Sequence, residues 1–192
     1  MESLATSSAP SVKPQQPRQL MLAGQAVPMD QGHIAILNWP DAASRANDID
    51  ALCSAANPVV RHAGGVLIED LSLADNLMLE PALLDGALPR HLLPELLELF
   101  GNAGCAIDWR LWQTTFPAQA DPLMQLQVIT GRALMADPDL LLVEAMQWDD
   151  SLLQPCAFSK SFTRQYPWRT LAWASCDARR ADTLRQTHGL PI

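Results

Sequence analysis

The stretch Ala136-Asp-Pro-Asp-Leu-Leu-Leu-Val-Glu144 decides the fold. A helix-like segment, Pro122–Ala136, runs into Asp137-Pro138, and a proline drives the residue before it out of the helical region. The apolar run Leu140–Val143 follows, and an acid closes it. A run without polar alternation suits a strand buried on both faces, as in a parallel sheet covered by helices. Upstream, Asp121-Pro122 is a good helix start, with Asp at the cap and Pro at the first helical position. The segment therefore reads as helix, sharp turn and buried strand, with a carboxylate at the strand's C-terminal end.

Further short apolar runs read as strands at Gln19–Ala23, His33–Leu37, Gly65–Ile68 and Leu171–Ala174. Helical stretches lie between and after them, at Ala42–Ala56, Leu92–Phe100, Ser151–Tyr166 and Asp177–Thr187. Strands alternating with helices predict an α/β fold with a mostly parallel central sheet. Residues 79–130 hold no convincing strand and read as a helical insertion. Residues 20–78 and 131–192 then form the α/β core. Residues 1–19, rich in Ser, Pro and Gln, read as a flexible tail.

Composition narrows the function. The 192 residues suit one domain, and 48% apolar content suits a packed core. The net charge of −8 argues against nucleic acid or anionic lipid as a direct partner. The 13 basic residues include just two lysines, Lys13 and Lys160, and there are nine glycines. A glycine-rich phosphate loop ending in lysine has few places to sit. Cys53, Cys105, Cys156 and Cys176 lie far apart, without metal-ligand spacing, so reduced thiols and no bound metal are expected. His33, His62, His91 and His188 are scattered and read as surface or packing histidines. The opening residues lack the apolar stretch of a secretory signal. Nowhere do about 18 apolar residues run together, so no direct membrane insertion is expected.

The segment Gly131-Arg-Ala-Leu-Met-Ala-Asp-Pro-Asp-Leu-Leu-Leu-Val143 resembles the ABC-transporter ATPase family, which reads "ARALxxdPdLLLxDEP" there. Leu67–Leu79 (LIEDLSLADNLML) resembles the family segment "lsvxdNLxLp". Arg169–Asp177 resembles "rTvlxvTHD", and Gly32–Asn38 resembles the strand that leads into the phosphate loop. Order and spacing agree from about Leu20 to Asp182. The resemblance implies a P-loop NTPase-like ABC nucleotide-binding domain with a helical insertion. The short form and the LADNLML segment are also similar to ATPases of Mla/Mce-type lipid transporters.

Laid on that pattern, the residues for nucleotide chemistry are replaced. The loop that should read GxxGxGK[ST] reads Trp39-Pro-Asp-Ala-Ala-Ser-Arg-Ala46. Trp39, Ala42 and Ser44 stand for the glycines, Arg45 for the lysine and Ala46 for the metal-binding hydroxyl, while Asp41 adds negative charge. A phosphate cradle needs inward backbone N–H groups and close approach, which glycines allow. Glu144 stands at the Walker B aspartate position. Ala145 replaces the catalytic glutamate, a kind of group worth about 10²–10⁴-fold in rate. Cys176 replaces the switch histidine. At the signature loop, Asp121 puts a carboxylate where the family's serine donates to phosphate. The degenerate half of an asymmetric ABC dimer usually keeps that signature, and this chain does not.

The resemblance therefore implies a fold lacking a functional P-loop, with no catalytic residue, no cofactor and no ATP hydrolysis. The expected role is a structural or regulatory subunit of an ABC transport complex that carries lipid in the Mla/Mce reading. Its partner would be a permease or other transporter subunit, with another ATPase subunit or a second copy as a further partner. The expected place is cytoplasmic, peripheral to the inner membrane through that partner. Docking is expected among Leu71–Leu84 and Trp109–Phe116, with Leu73, Asn76, Trp109, Trp112 and Phe116 as candidate anchors. The competing reading is that Trp109, Trp112 and Phe116 pack the insertion's own core. Two alternatives stay open. One is a divergent nucleotide binder in which Arg45 meets phosphate and Glu144 holds Mg²⁺. The other is a free-standing soluble regulator.

Overall fold

A computed structural model describes residues 19–29, 32–54, 59–84, 92–148 and 155–191. The first described segment is a hairpin, β1 (Gln19–Leu22) and β2 (Gln25–Pro28). Its turn, Ala23-Gly24, has φ of 48° and 72°. Two positive φ values make the two-residue turn that matches the twist of antiparallel strands. The expected strand Gln19–Ala23 is thus one arm of a hairpin. Its second arm lacks a long apolar run, because Gln25 and Ala26 face solvent while Val27 and Met29 are buried. The expected tail, apart from Gln19, lies outside the described residues.

The main sheet has β3 (Ile34–Asn38), β4 (Val60–Ala63), β5 (Leu140–Glu144) and β6 (Thr170–Ser175). All pairings are parallel, in the order β3-β6-β5-β4. Side chains alternate across a strand, and each face meets its own core. Leu140, Leu142, Ala172, Ala174, Ala35 and Leu37 look to one side. Leu141, Val143, Leu171, Trp173 and Ile36 look to the other. This double burial is why these strands read as unbroken apolar runs.

The expected strand Gly65–Ile68 is a correction. The strand ends at Ala63, where Gly64 and Gly65 (φ 91°) turn the chain away. Val66 and Ile68 then run along the surface.

Helices cover both faces. On one side, α1 (Ala42–Cys53) inserts Ile49 and Leu52 beside the hairpin. Thr170 Oγ1 donates to Pro28 O at 2.8 Å and ties the hairpin to the sheet. The other face carries α2 (Leu73–Leu84), α3 (Leu92–Asn102), α4 (Trp109–Trp112), α5 (Pro122–Met135), α6 (Pro155–Gln165) and α7 (Ala178–His188). Of the helix expected at Ser151–Tyr166, Pro155–Gln165 is helical, and residues 151–154 lie outside the described residues.

The insertion limits at 79 and 130 fall inside the continuous helices α2 and α5. The insertion also shares its core with the sheet: Leu77, Leu96, Leu126, Val143 and Trp173 belong to one buried cluster. Gly131 keeps α5 close to α2 and α3. A Cβ there would meet Leu77 Cδ1 at 2.7 Å and Leu96 Cδ2 at 2.9 Å.

Trp173 sits at the centre of this core, fully buried, edge-on to Trp148 with centroids 5.0 Å apart. Its Nε1–H donates to Ser159 Oγ at 3.0 Å. Truncating a buried tryptophan removes transfer energy and leaves a cavity. Trp173→Ala is expected to lower stability by about 3–5 kcal/mol, read as an earlier midpoint in urea unfolding.

Candidate functional site

Parallel strands bring their carboxyl ends to one edge of the sheet, and open α/β sheets gather ligands there. Here that edge carries Asn38, Ala63, Glu144 and Ser175. Glu144 is only 7% exposed. A buried carboxylate must be paired and hydrogen-bonded to remain charged. Glu144 Oε2 accepts from Arg45 Nη1 at 2.5 Å, and Oε1 lies 2.8 Å from His62 Nε2. An ionised carboxylate can only accept, so Nε2 carries the hydrogen.

Register explains the meeting. His62 is aligned with Leu142, so it shares a sheet face with Glu144, two residues further along β5. Arg45 reaches the same face from the first turn of α1. Gly64 leaves the imidazole its room, because a Cβ at that position would strike the His62 ring.

The start of α1 holds a second internal arrangement. Asp41, with extended backbone, accepts the Ser44 N–H at 2.8 Å and the Ser44 hydroxyl at 3.0 Å. These bonds hold its carboxyl below the usual carboxylate range, the backbone bond contributing most. Trp39 does not stand out into the turn. It is buried under α1, and its Nε1–H donates to Asp48 Oδ2 at 2.7 Å. Its backbone N–H donates to Ser175 O at 2.9 Å. Ala42 and Ala46 are exposed.

At the start of α5, Asp121 Oδ1 accepts the Met124 N–H at 2.8 Å. The carboxylate is therefore the helix's own cap. Ala145 is buried directly after Glu144, and Cys176 is half-buried just beyond β6. Of the expected positions, the structure joins Arg45 to Glu144 and leaves Asp121 bonded within its own first turn. It adds His62, which sequence reasoning passed over as a surface or packing histidine. The sequence near His62 offered one signal, the glycine pair Gly64-Gly65 two residues on, which ends the strand.

Three of the expected anchors are corrected. Leu73, Asn76 and Trp112 are fully buried and present no side chain to a partner. Asn76 instead fastens the preceding loop. Its Oδ1 accepts the Ile68 N–H at 2.8 Å, and its Nδ2 donates to the carbonyls of Ile68, Leu71 and Ser72. Trp109 is half-buried and Phe116 is exposed. The Leu73 N–H donates to Thr115 O at 2.8 Å, so both loops are pinned to the start of α2. Val66 and Ile68 on the first loop, Leu111 on α4 and Phe116 on the second loop are all exposed.

Among the described residues, no three His, Cys, Asp or Glu side chains group so as to hold a metal ion, and no helix is long and apolar enough to cross a membrane.

Comparison with known proteins places the fold. The structure is similar to a solved ATP-binding subunit of an ABC transporter, with a TM-score of 0.57 at 16% identity, over 82% of this chain and 74% of that one. It is also similar to a dimeric ATP-binding cassette solved in a post-hydrolysis state with ADP and Pi, with a TM-score of 0.50 at 13% identity, over 86% of this chain and 87% of that one. At these identities the likeness shows the fold: an α/β domain whose parallel four-stranded sheet resembles an ABC nucleotide-binding domain. No protein-family model and no curated protein matches the chain.

Two expectations follow from the geometry. Partly buried, hydrogen-bonded charges in contact couple more strongly than exposed surface pairs, which give under about 1 kcal/mol. A double-mutant cycle of Arg45→Ala and Glu144→Ala, read by urea unfolding, is expected to give a coupling of about 1–3 kcal/mol. Asp41 has its folded pKa lowered, so its stabilising cap is complete above the ordinary carboxylate pKa and is lost as pH falls through the folded value. Asp41→Asn is expected to flatten that part of the acid limb in thermal melts between about pH 6 and pH 2.

Proposed function

We propose that this chain is an ABC-fold subunit without nucleotide chemistry, serving as a structural or regulatory component of a transport complex. The observation that carries this reading is the carboxylate of Glu144 closed between Arg45 and His62. A Mg²⁺–nucleotide site needs free N–H groups at a helix start, a cation facing phosphate, and a carboxylate open to the metal's water shell. Here the Ser44 N–H is taken by Asp41, the guanidinium by Glu144, and both carboxylate oxygens by side chains. An incoming phosphate would meet the Asp41 carboxylate as a like charge. Ala46 and Ala145 offer no side-chain oxygen. These residues do not fit Mg²⁺–ATP.

The docking face in this reading is the exposed apolar set Val66, Ile68, Leu111 and Phe116, in place of the buried anchors. Its occupant is a permease or another membrane subunit of the transporter, which would hold this chain at the cytoplasmic face of the inner membrane. The similar ATP-binding cassette is dimeric, which supports a second ATPase-fold chain, or a second copy, as a further partner. The LADNLML resemblance to Mla/Mce-type ATPases supports lipid as the cargo.

Thermal melts with and without Mg-ATP test the nucleotide part. No rise in Tm is expected. A ligand at 100 times its Kd stabilises by about 2.7 kcal/mol, so a clear saturable rise contradicts the proposal. The docking part is tested by the pair Ile68→Asp and Phe116→Asp. Tagged protein carrying both changes is expected to lose its recovery with the membrane fraction while keeping its Tm. Unchanged recovery rules out this face.

A further inference from the structure

Strand β3 is an edge of the sheet, with β6 as its one neighbour among the described residues. The Leu171 N–H donates to His33 O, and the Trp39 N–H to Ser175 O, each at 2.9 Å. In a parallel ladder, bonded residues alternate along the strand. Residues 33, 35, 37 and 39 therefore turn their backbone groups to β6. The N–H and C=O groups of Ile34 and Ile36 turn outward. The bond found on that outer side is a long one, from Arg185 Nη2 to Ile36 O at 3.4 Å.

The edge is not flush with its surroundings. It is the floor of an open groove of 210 Å³, walled by Gln25–Val27 of β2 on one side and by Arg185, Leu190 and Pro191 on the other. An edge strand with unpaired groups is a template for another strand, and backbone pairing supplies the affinity in such additions.

We propose that this groove is a docking slot for an extended, acidic segment of a partner protein, which pairs with β3 as an added strand and sets a carboxylate on Arg185. Extended form follows from the outward row at Ile34 and Ile36, which satisfies a strand and not a helix. Acidic character follows from the lining. Arg185 is its cation, and no acid lines it. His33 adds little charge, because burial holds its pKa below the ordinary value. Arg185 Nη1 already rests on Asp182 at 2.8 Å. Its other arm leaves Ile36 when the new strand arrives and is then placed to donate to a carboxylate, a stronger bond than the one lost.

Two other occupants fit less well. A second copy offers its own β3, Ile34–Asn38, which carries no acid to set on Arg185. Residues 1–18 of this chain carry Pro10, Pro14 and Pro17, which lack the N–H a ladder needs, and their one acid, Glu2, is offset by Lys13 and Arg18.

Amide hydrogen exchange on the full chain, read by NMR, tests the proposal. The probe is a blocked peptide of roughly seven residues alternating valine with glutamate and aspartate, the pattern of strand addition. The expected result is at least a tenfold slowing at Ile34 and Ile36, an effect lost when the peptide's ladder-facing amides are N-methylated. Arg185→Gln is expected to weaken binding at least fivefold. Unchanged exchange at both amides overturns the proposal, and equal binding of the glutamine and asparagine analogue overturns its acidic part. Amides already slow in the free chain also overturn it. They would point to residues 1–18 if deleting those residues speeds them, and to a second copy if dilution does.

Discussion

A carboxylate buried at the end of a strand needs partners, and Glu144 meets this constraint with two. Arg45 comes from α1 and His62 from β4, so the pair of contacts joins one helix and two strands at the sheet's carboxyl edge. Chain separation makes the link structural: Arg45 and Glu144 are 99 residues apart. The first turn of α1 is held down on the sheet by this bond and by Trp39 beneath it. The end of β4 is fixed by His62 and by the glycine that gives the ring its room. Cutting one bond would leave a buried charge short of a partner, which costs more than an exposed pair is worth.

The same logic recurs at the helix starts. An α-helix N-terminus leaves N–H groups without partners and carries partial positive charge, which makes it a ready place for an anion. In this chain Asp41, Asp108, Asp121 and Asp177 each cap a helix with their own carboxylate. Two of these, Asp41 and Asp121, stand where the ABC resemblance places the phosphate loop and the signature loop. In the proposed reading, these internal carboxylates fill the places where an ATPase would receive phosphate oxygens.

Much of the architecture was legible because its cause is local. Leu140–Val143 and Leu171–Ala174 are apolar throughout because each strand is buried on both faces, and that reading held. The Asp121-Pro122 start of α5 and its stop at Asp137-Pro138 are written in a few adjacent residues. What was missed depends on distant contacts. β4 carries Arg61 and His62, so it does not look like a buried strand, while Gly65–Ile68 looks apolar and lies on the surface. His62 gains its meaning from a residue 82 positions away. Leu73, Asn76 and Trp112 looked like anchors by type, but α2 and α4 turn them inward. Trp39 stands at a glycine position of the resembled loop, and its indole turns into the core.

In the proposed reading the Arg45–Glu144–His62 cluster stays closed when nucleotide is present. The Arg45 guanidinium N–H signals in an NMR spectrum report on it directly, since a guanidinium held on a buried carboxylate exchanges slowly with water. The account predicts resolved, slowly exchanging Arg45 signals that do not move as Mg-ATP is added to millimolar concentration. Signals that shift and saturate with Mg-ATP would show the cluster opening to phosphate, and would contradict it.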